Sequence, residues 1–435
     1  MASPIVSGSV AVGPPAPALS SRRWLALAVI TLIYSCNFLD RTVVSLVAEP
    51  LRAEFGLTDS ALGLLTGLAF GLTYALTGLP MGWLVDRVNR RHMLGWVVLL
   101  WSSATAAAGF ANSFSMLLLC RMGVGATESG GAPASMSLIS DYFPPHERVT
   151  AMGVYYLGNT IGGLMCLGLG AYVAQHYGWR AAFWVAGVPG AVLALLAWTM
   201  LPEPVRGGLD APHMGRAAAP AAPRPVREAL RFLWREPSLR WLYLATGMAS
   251  AAAAALGVWL PPFLMREHGL SIGSASAALA AGSGLCGAIG ALAGGRLADT
   301  LARHRPQPRY QLAITTLLLS LPCAWGATHV PHAGAAIALA CITFLLLFST
   351  IPIGMGIMLT LAPPDIRGFN GAVMQVVTNL LAYGIGPMGT GWLSDRLGAG
   401  QLGTALGITL CATAALGGLT FYAAQPARER MAPPG

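Results

Sequence analysis

An all-α membrane protein of twelve transmembrane helices in two six-helix bundles is what this sequence predicts, and three observations carry the prediction. Hydrophobic residues fill 55% of the 435 positions and charged residues only 10%, a balance that a soluble domain could not cover with polar surface. Twelve apolar stretches of about bilayer-crossing length follow one another, at residues 24–48, 60–84, 93–111, 115–139, 150–173, 180–200, 240–263, 273–294, 310–328, 333–360, 369–392 and 401–424. Between the sixth and seventh, residues 201–237 break the pattern with Pro, Ala, Gly and arginines, leaving six spans on each side.

Taken in order, residues 1–21 are small, Pro-containing and uncharged, and read as a disordered cytoplasmic tail. The apolar run after Arg22 and Arg23 is long and interrupted by Asp40, unlike a cleavable signal segment, so it reads as a retained first span. Residues 22–200 then form the N-terminal bundle, 201–237 a cytoplasmic linker, 238–425 the C-terminal bundle and 426–435 a second cytoplasmic tail. Within the linker, residues 226–235 have the pattern of a basic amphipathic helix lying on the membrane surface.

All 26 basic residues are arginines, so orientation rests on placing them. With both termini inside, 20 fall at cytoplasmic positions, four outside (Arg52, Arg180, Arg266, Arg396) and two within spans (Arg41, Arg121). The net charge of +9 then faces anionic headgroups and requires no nucleic acid. All seven cysteines lie inside spans without paired spacing, which argues against disulfides or a metal site. A chain without lysine cannot carry a G-x-x-x-x-G-K phosphate loop, so an ion gradient is the expected energy source and no cofactor is expected.

Two ionisable doublets sit at bilayer depth: Asp40 beside Arg41, and Arg121 seven residues before Glu128. A charge in hydrocarbon costs several kcal/mol or more and persists where it is paired or lines a wet passage. On the first span, Tyr34, Asn37, Asp40 and Arg41 make one polar stripe at spacings of three and four, expected to face a central cavity. Seven residues turn a helix through about 700°, so Arg121 and Glu128 share a face about 10 Å apart along the axis. Depth counting pairs Asp40 with Arg121 and sets Glu128 one or two turns deeper. Burial raises a carboxylate's proton affinity and a nearby guanidinium lowers it, which makes such a cluster a coupling device. The counterpart stretches 240–263 and 333–360 hold no charge between their ends, so fold symmetry does not demand these groups.

The halves echo each other. Gly82-Trp83-Leu84-Val85-Asp86-Arg87 after the second span matches Gly295-Arg296-Leu297-Ala298-Asp299 after the eighth, and Pro144 to Arg148 after the fourth matches Pro363 to Arg367 after the tenth. The stretch GWLVDRVNRR at 82–91 resembles the loop signature of the major facilitator superfamily, with Asn89 in place of the usual glycine. Asn37, Asp40 and Arg41, the segment RMGVGATESGG from Arg121, and Ser140 to Pro144 narrow the resemblance to its spinster-like branch; Thr127 and Ser129 depart from that branch's usual Gly and Ala.

The resemblance implies inverted 3+3 helix repeats, a bacterial inner membrane, and proton coupling carried by Asp40, Arg41, Arg121 and Glu128. It also implies a conformational latch at the loop signatures: Gly82, Asp86, Arg87, Arg90, Arg91, Asp141, Glu147, Arg148, Asp299 and Arg367. The cargo it implies is a lysophospholipid or a sphingosine-phosphate-like lipid.

From the residues alone, one charged wall facing a largely apolar one suits an amphipathic solute. The expected form is a monomer. Tyr34, Asn37, Asn159, Gln375 and Asn379 are the candidate substrate contacts, though polar residues in spans more often bond helix to helix. Small organic anions or drug-like compounds are the alternative cargo; the fifth span lacks the Gly-Pro pair of many drug exporters, reading GNTIGGLMCLGLG at 158–170. Pro352, Gly354 and Gly356 are expected to bend the tenth span, and Trp259, Phe344 and Phe348 to face lipid or pack. An intramembrane enzyme using Asp40 and Glu128 as an acid pair finds no nucleophile, metal set or second motif.

Overall fold

The computed structural model describes residues 18–85, 87–144, 147–205, 226–301, 307–361 and 366–425, and every regular element among them is helical. Expectations for the two tails fall almost wholly outside these residues; the first helix, Ala18–Leu46, begins inside the stretch read as tail. The helices line up as twelve rods on the twelve apolar stretches, and nine are long and apolar enough by composition to cross a membrane. The other three are the third (Arg90–Ala108), which opens on two arginines, the polar-studded eleventh (Arg367–Leu397), and the fourth.

The fourth span is two helices, Phe114–Glu128 and Gly131–Tyr142, where one continuous span was expected. Pro133 lacks the N–H that would bond the carbonyl of Ser129, so the ladder breaks at Ser129 and Gly130, one residue past the buried Glu128.

The second, fifth and eighth spans each wind one wide π-type turn, at Leu64–Leu68, Cys166–Gly170 and Ala280–Cys286. Three spans at equivalent places in a three-helix repeat thus share one irregularity, and such turns concentrate at functional positions. Within the first half the first span packs on the fifth and the third on the sixth; within the second the seventh packs on the eleventh and twelfth. The halves meet where the second span lies along the eleventh and the fifth along the eighth.

Glycines make the first of these seams possible. A Cβ on Gly67 would sit 2.4 Å from the Tyr383 carbonyl oxygen, and one on Gly63 2.6 Å from that of Pro387, so the second span touches the eleventh backbone to backbone. Trp259 is fully buried and donates to the Pro387 carbonyl at 2.9 Å, while Phe344 packs in the core; neither faces lipid. In the linker, Val226–Arg235 is a helix that buries Ala229 and Leu233 and exposes Leu230 and Trp234 among Arg227, Arg231 and Arg235.

Candidate functional site

Arg41 and Glu128 form the centre of the site. The Arg41 guanidinium bonds Glu128 Oε1 through Nε and a terminal nitrogen, joining the first span to the fourth at its break. Glu128 is 1% exposed and closes its helix, where the carbonyl end of the dipole disfavours a negative charge, so Arg41 offsets both burial and dipole. The Arg41 side chain retains 21% exposure and lies 5.0 Å from the Phe70 ring centre and 5.2 Å from that of Tyr74.

The expected pairing is exchanged. Arg121 does not take the Asp40 carboxylate; it donates to the main-chain carbonyls of Asp40 at 3.1 Å and Arg41 at 3.4 Å. Adjacent helical residues point about 100° apart, so with Arg41 turned toward Glu128 its neighbour Asp40 turns into the first half's interior. There Asp40 is 1% exposed, and neither carboxylate oxygen has a hydrogen-bond partner. It borders a cavity of about 10 Å³ lined with Thr105, Val44, Cys120 and Arg121. Two acids and two arginines thus share one buried cluster, one acid ion-paired and the other bare.

Phe70 is the residue the sequence reading missed. Fully buried, it lies 4.6 Å from the Arg121 guanidinium and 5.3 Å from the Tyr383 ring of the opposite half, so one ring touches both cations and the seam. Its sequence signal was Phe70 and Tyr74 at i and i+4 beside Gly67 and Gly71, a stripe of small and aromatic residues on one helix face.

Of the candidate substrate contacts, Tyr34 stacks on Tyr155 at 4.4 Å, and Asn37 is buried beside Glu128. Asn159 is half-buried one turn beyond Tyr155. Gln375 is exposed and donates to Asn379 at 3.1 Å along its own helix. Tyr34 and Asn37 therefore stand near the charged cluster, and Gln375 and Asn379 form a separate polar pair on the eleventh span.

At the end where the first helix begins, Arg90 is 1% exposed and bonds Asp141, Glu203 at 2.8 Å, Ser137 at 3.0 Å and the Pro204 carbonyl. Arg91 donates to the Leu201 carbonyl, Arg23 pairs with Glu147, and Arg87 lies over Trp83. These expected latch residues thus hold the first half to itself and to the start of the linker. Gly82 has open space where a Cβ would stand, so close helix approach is not its reason here. Asp86 and the side chains of Arg148, Asp299 and Arg367 lie outside the described residues.

The clasp between the halves stands at the opposite end. Arg266 bonds Glu49 at 2.7 Å and Asp59 at 2.9 Å; Ser394 donates to Asp59 at 2.7 Å; Asp395 accepts the main-chain N–H groups of Asp59 at 2.9 Å and Ser60 at 2.8 Å. Asp395 thereby caps the start of the second span, where a carboxylate meets unpaired N–H groups and the positive helix end. Residues 391–396 read GWLSDR against GWLVDR at 82–87, so the loop signature recurs, turned over, at the far end of the eleventh span. Comparing the ends of the second and eleventh spans would have exposed this copy.

With the geometry established, comparison with known proteins gives a consistent picture. The family model described as Major Facilitator Superfamily matches residues 30–387. An "MFS-type efflux pump" of Mycolicibacterium smegmatis is 29% identical over 94% of both chains. A "D-galactonate transporter" of Escherichia coli is 26% identical over 87% of this chain and 90% of its own length. A crystal structure described as a bacterial homologue of the human lysosomal transporter Spinster, inward-facing and unoccupied, superimposes with a TM-score of 0.79 at 28% identity, covering 93% of this chain and 96% of that one. The same homologue in its occupied form gives 0.78 at 27% identity, covering 95% and 100%.

Proposed function

This chain belongs to the Major Facilitator Superfamily as a spinster-like transporter, and we propose that it is a proton-coupled secondary transporter of an amphipathic organic solute, working by alternating access. The observation that carries the reading is the buried cluster in which Arg41 holds Glu128 while Asp40 stands unpaired behind them. Protonating Glu128 dissolves its ion pair and frees a partly exposed guanidinium; an acidic or polar headgroup then takes the vacated place. Loss of the solute returns Arg41 to Glu128 and expels the proton, so solute and proton bind and leave together. Phe70 and Tyr383 join this cluster to the seam between the halves, the place where a change of pairing alters how they meet.

In this reading the end bearing the chain termini is cytoplasmic, the membrane is a bacterial inner membrane, and the clasp seals the outer end of an inward-facing monomer. Solute chemistry follows from the walls: cations and tyrosines on one side, alanine, glycine and leucine on the other, as suits a lysophospholipid or sphingosine-phosphate type of molecule. A second reading, a small sugar-acid cargo, is favoured by the galactonate transporter among the relatives, and would use Arg41 as the carboxylate's partner.

The test is purified protein in liposomes loaded with a pH-sensitive dye, challenged with lysophosphatidylcholine, sphingosine phosphate and D-galactonate in turn. Wild type should move protons with one of these solutes, and Glu128→Gln and Asp40→Asn should abolish that movement while remaining monodisperse. Solute flux without proton movement, or mutants that follow pH as wild type does, would defeat the reading.

A further inference from the structure

The Asp40 carboxyl raises a problem that the ion pair beside it does not answer. A group that gains and loses a proton at full burial needs a partner in both states, or one of the two carries the desolvation cost alone. Arg121 does not supply that partner: its two terminal nitrogens donate to the carbonyls of Asp40 and Arg41, and no hydrogen bond joins its guanidinium to the carboxylate.

The third span does. Buried and half-buried hydroxyls in this chain commonly return to their own helix: Thr31, Ser35, Thr42, Thr66 and Thr127 each donate to the carbonyl four residues back. Thr105 is 3% exposed and makes no such bond; its hydroxyl is unpartnered and approaches Asp40 across the cavity that both residues line. That cavity, about 10 Å³, lets the two side chains shift and is near the lower limit for holding one water. Ser102, one turn earlier, is also unpartnered, but a Cβ on Gly190 would fall 1.8 Å from its oxygen, so it serves as the contact with the sixth span.

The other groups facing Asp40 are Cys36 and Arg41 on its own span, Cys120, Arg121 and Glu128 on the fourth, and Cys166 on the fifth. Leu65 and Phe183 close the pocket from the second and sixth. None of these is a neutral group that both gives and accepts a strong hydrogen bond.

We propose that Thr105 is the positioning residue of Asp40: its hydroxyl accepts from the protonated carboxyl and donates to the carboxylate, so the proton comes and goes without leaving the acid unbonded. The inference rests on the proton-coupled reading of this site and adds the residue that holds its unpaired acid.

The experiment is pH-difference infrared spectroscopy on purified protein in liposomes, with no solute needed. The C=O stretch of protonated Asp40 is assigned by its loss in Asp40→Asn. In Thr105→Val, which keeps the shape and removes the hydroxyl, that band should move to higher frequency; Thr105→Ser should restore it, and Ser102→Ala should leave it in place. Thr105→Ala provides the same reading if valine does not fit the pocket. A band indifferent to valine and alanine, or one moved by Ser102→Ala instead, overturns the assignment of Thr105 and leaves proton coupling standing. A wild-type protein with no Asp40-dependent carboxyl band at any pH overturns both.

Discussion

The two six-span halves share a helical frame and differ in what they bury. The first encloses Asp40, Arg41, Arg121 and Glu128 among its spans; among the described residues the interior of the second holds neutral groups such as Thr246, Ser276, Thr343, Asn370 and Asn379. Ion pairing in a low-dielectric interior is poor evidence for stability, because desolvation cancels much of the attraction. The charges are therefore better explained as chemistry. In the proposed function one half does the proton work and the other is the wall that moves against it, with contact through Phe70 and Tyr383.

The largest effect expected from breaking this asymmetry is in the first half. Arg41→Met strips Glu128 of its guanidinium while leaving the carboxyl fully enclosed, a change of roughly 3–5 kcal/mol for a buried pair that loses one partner. Thermal unfolding in detergent should show a clear loss, and the double mutant Arg41→Met, Glu128→Gln should recover most of it, since neither partner is then a stranded charge. Additive losses in the double mutant would mean that the pair does not act as a unit.

The clasp comes next, because among the described residues it is where both halves contribute charge. Arg266→Gln removes the cation shared by Glu49 and Asp59 and should weaken closure of that end by roughly 2 kcal/mol, about a thirtyfold shift in population. Spin-label distances measured across that end should lengthen in the mutant without solute. An unchanged distance distribution would assign closure to the glycine seam at Gly63 and Gly67 alone.

Much of this was legible before any coordinates, for physical reasons. Twelve apolar stretches and two buried doublets are long or costly features that composition cannot hide, and the fold and the residues of the cluster follow from them. The partnerships inside the cluster were not legible. Counting 1.5 Å per residue gives depth, whereas the pairing of Arg41 with Glu128, in place of the expected Arg121 with Asp40, depends on azimuth and on the break that Pro133 imposes. The clasp escaped for a different reason: its bonded partners are separated by more than 200 positions and look like ordinary loop charges until the chain is folded.

The smallest effect should come from the neutral wall, and it is the sharpest check on the asymmetry. Asn379 accepts the Gln375 amide on the eleventh span, and neither residue contributes a charge. Asn379→Ala forfeits one hydrogen bond between neutral groups, about 1 kcal/mol, which corresponds to a change of roughly fivefold in solute KM at most. The number of protons moved per solute, measured in the same liposomes, should not change, because every group proposed to exchange a proton lies in the other half. A mutant that transports its solute but loses the proton would place coupling in both halves and remove the distinction between worker and wall.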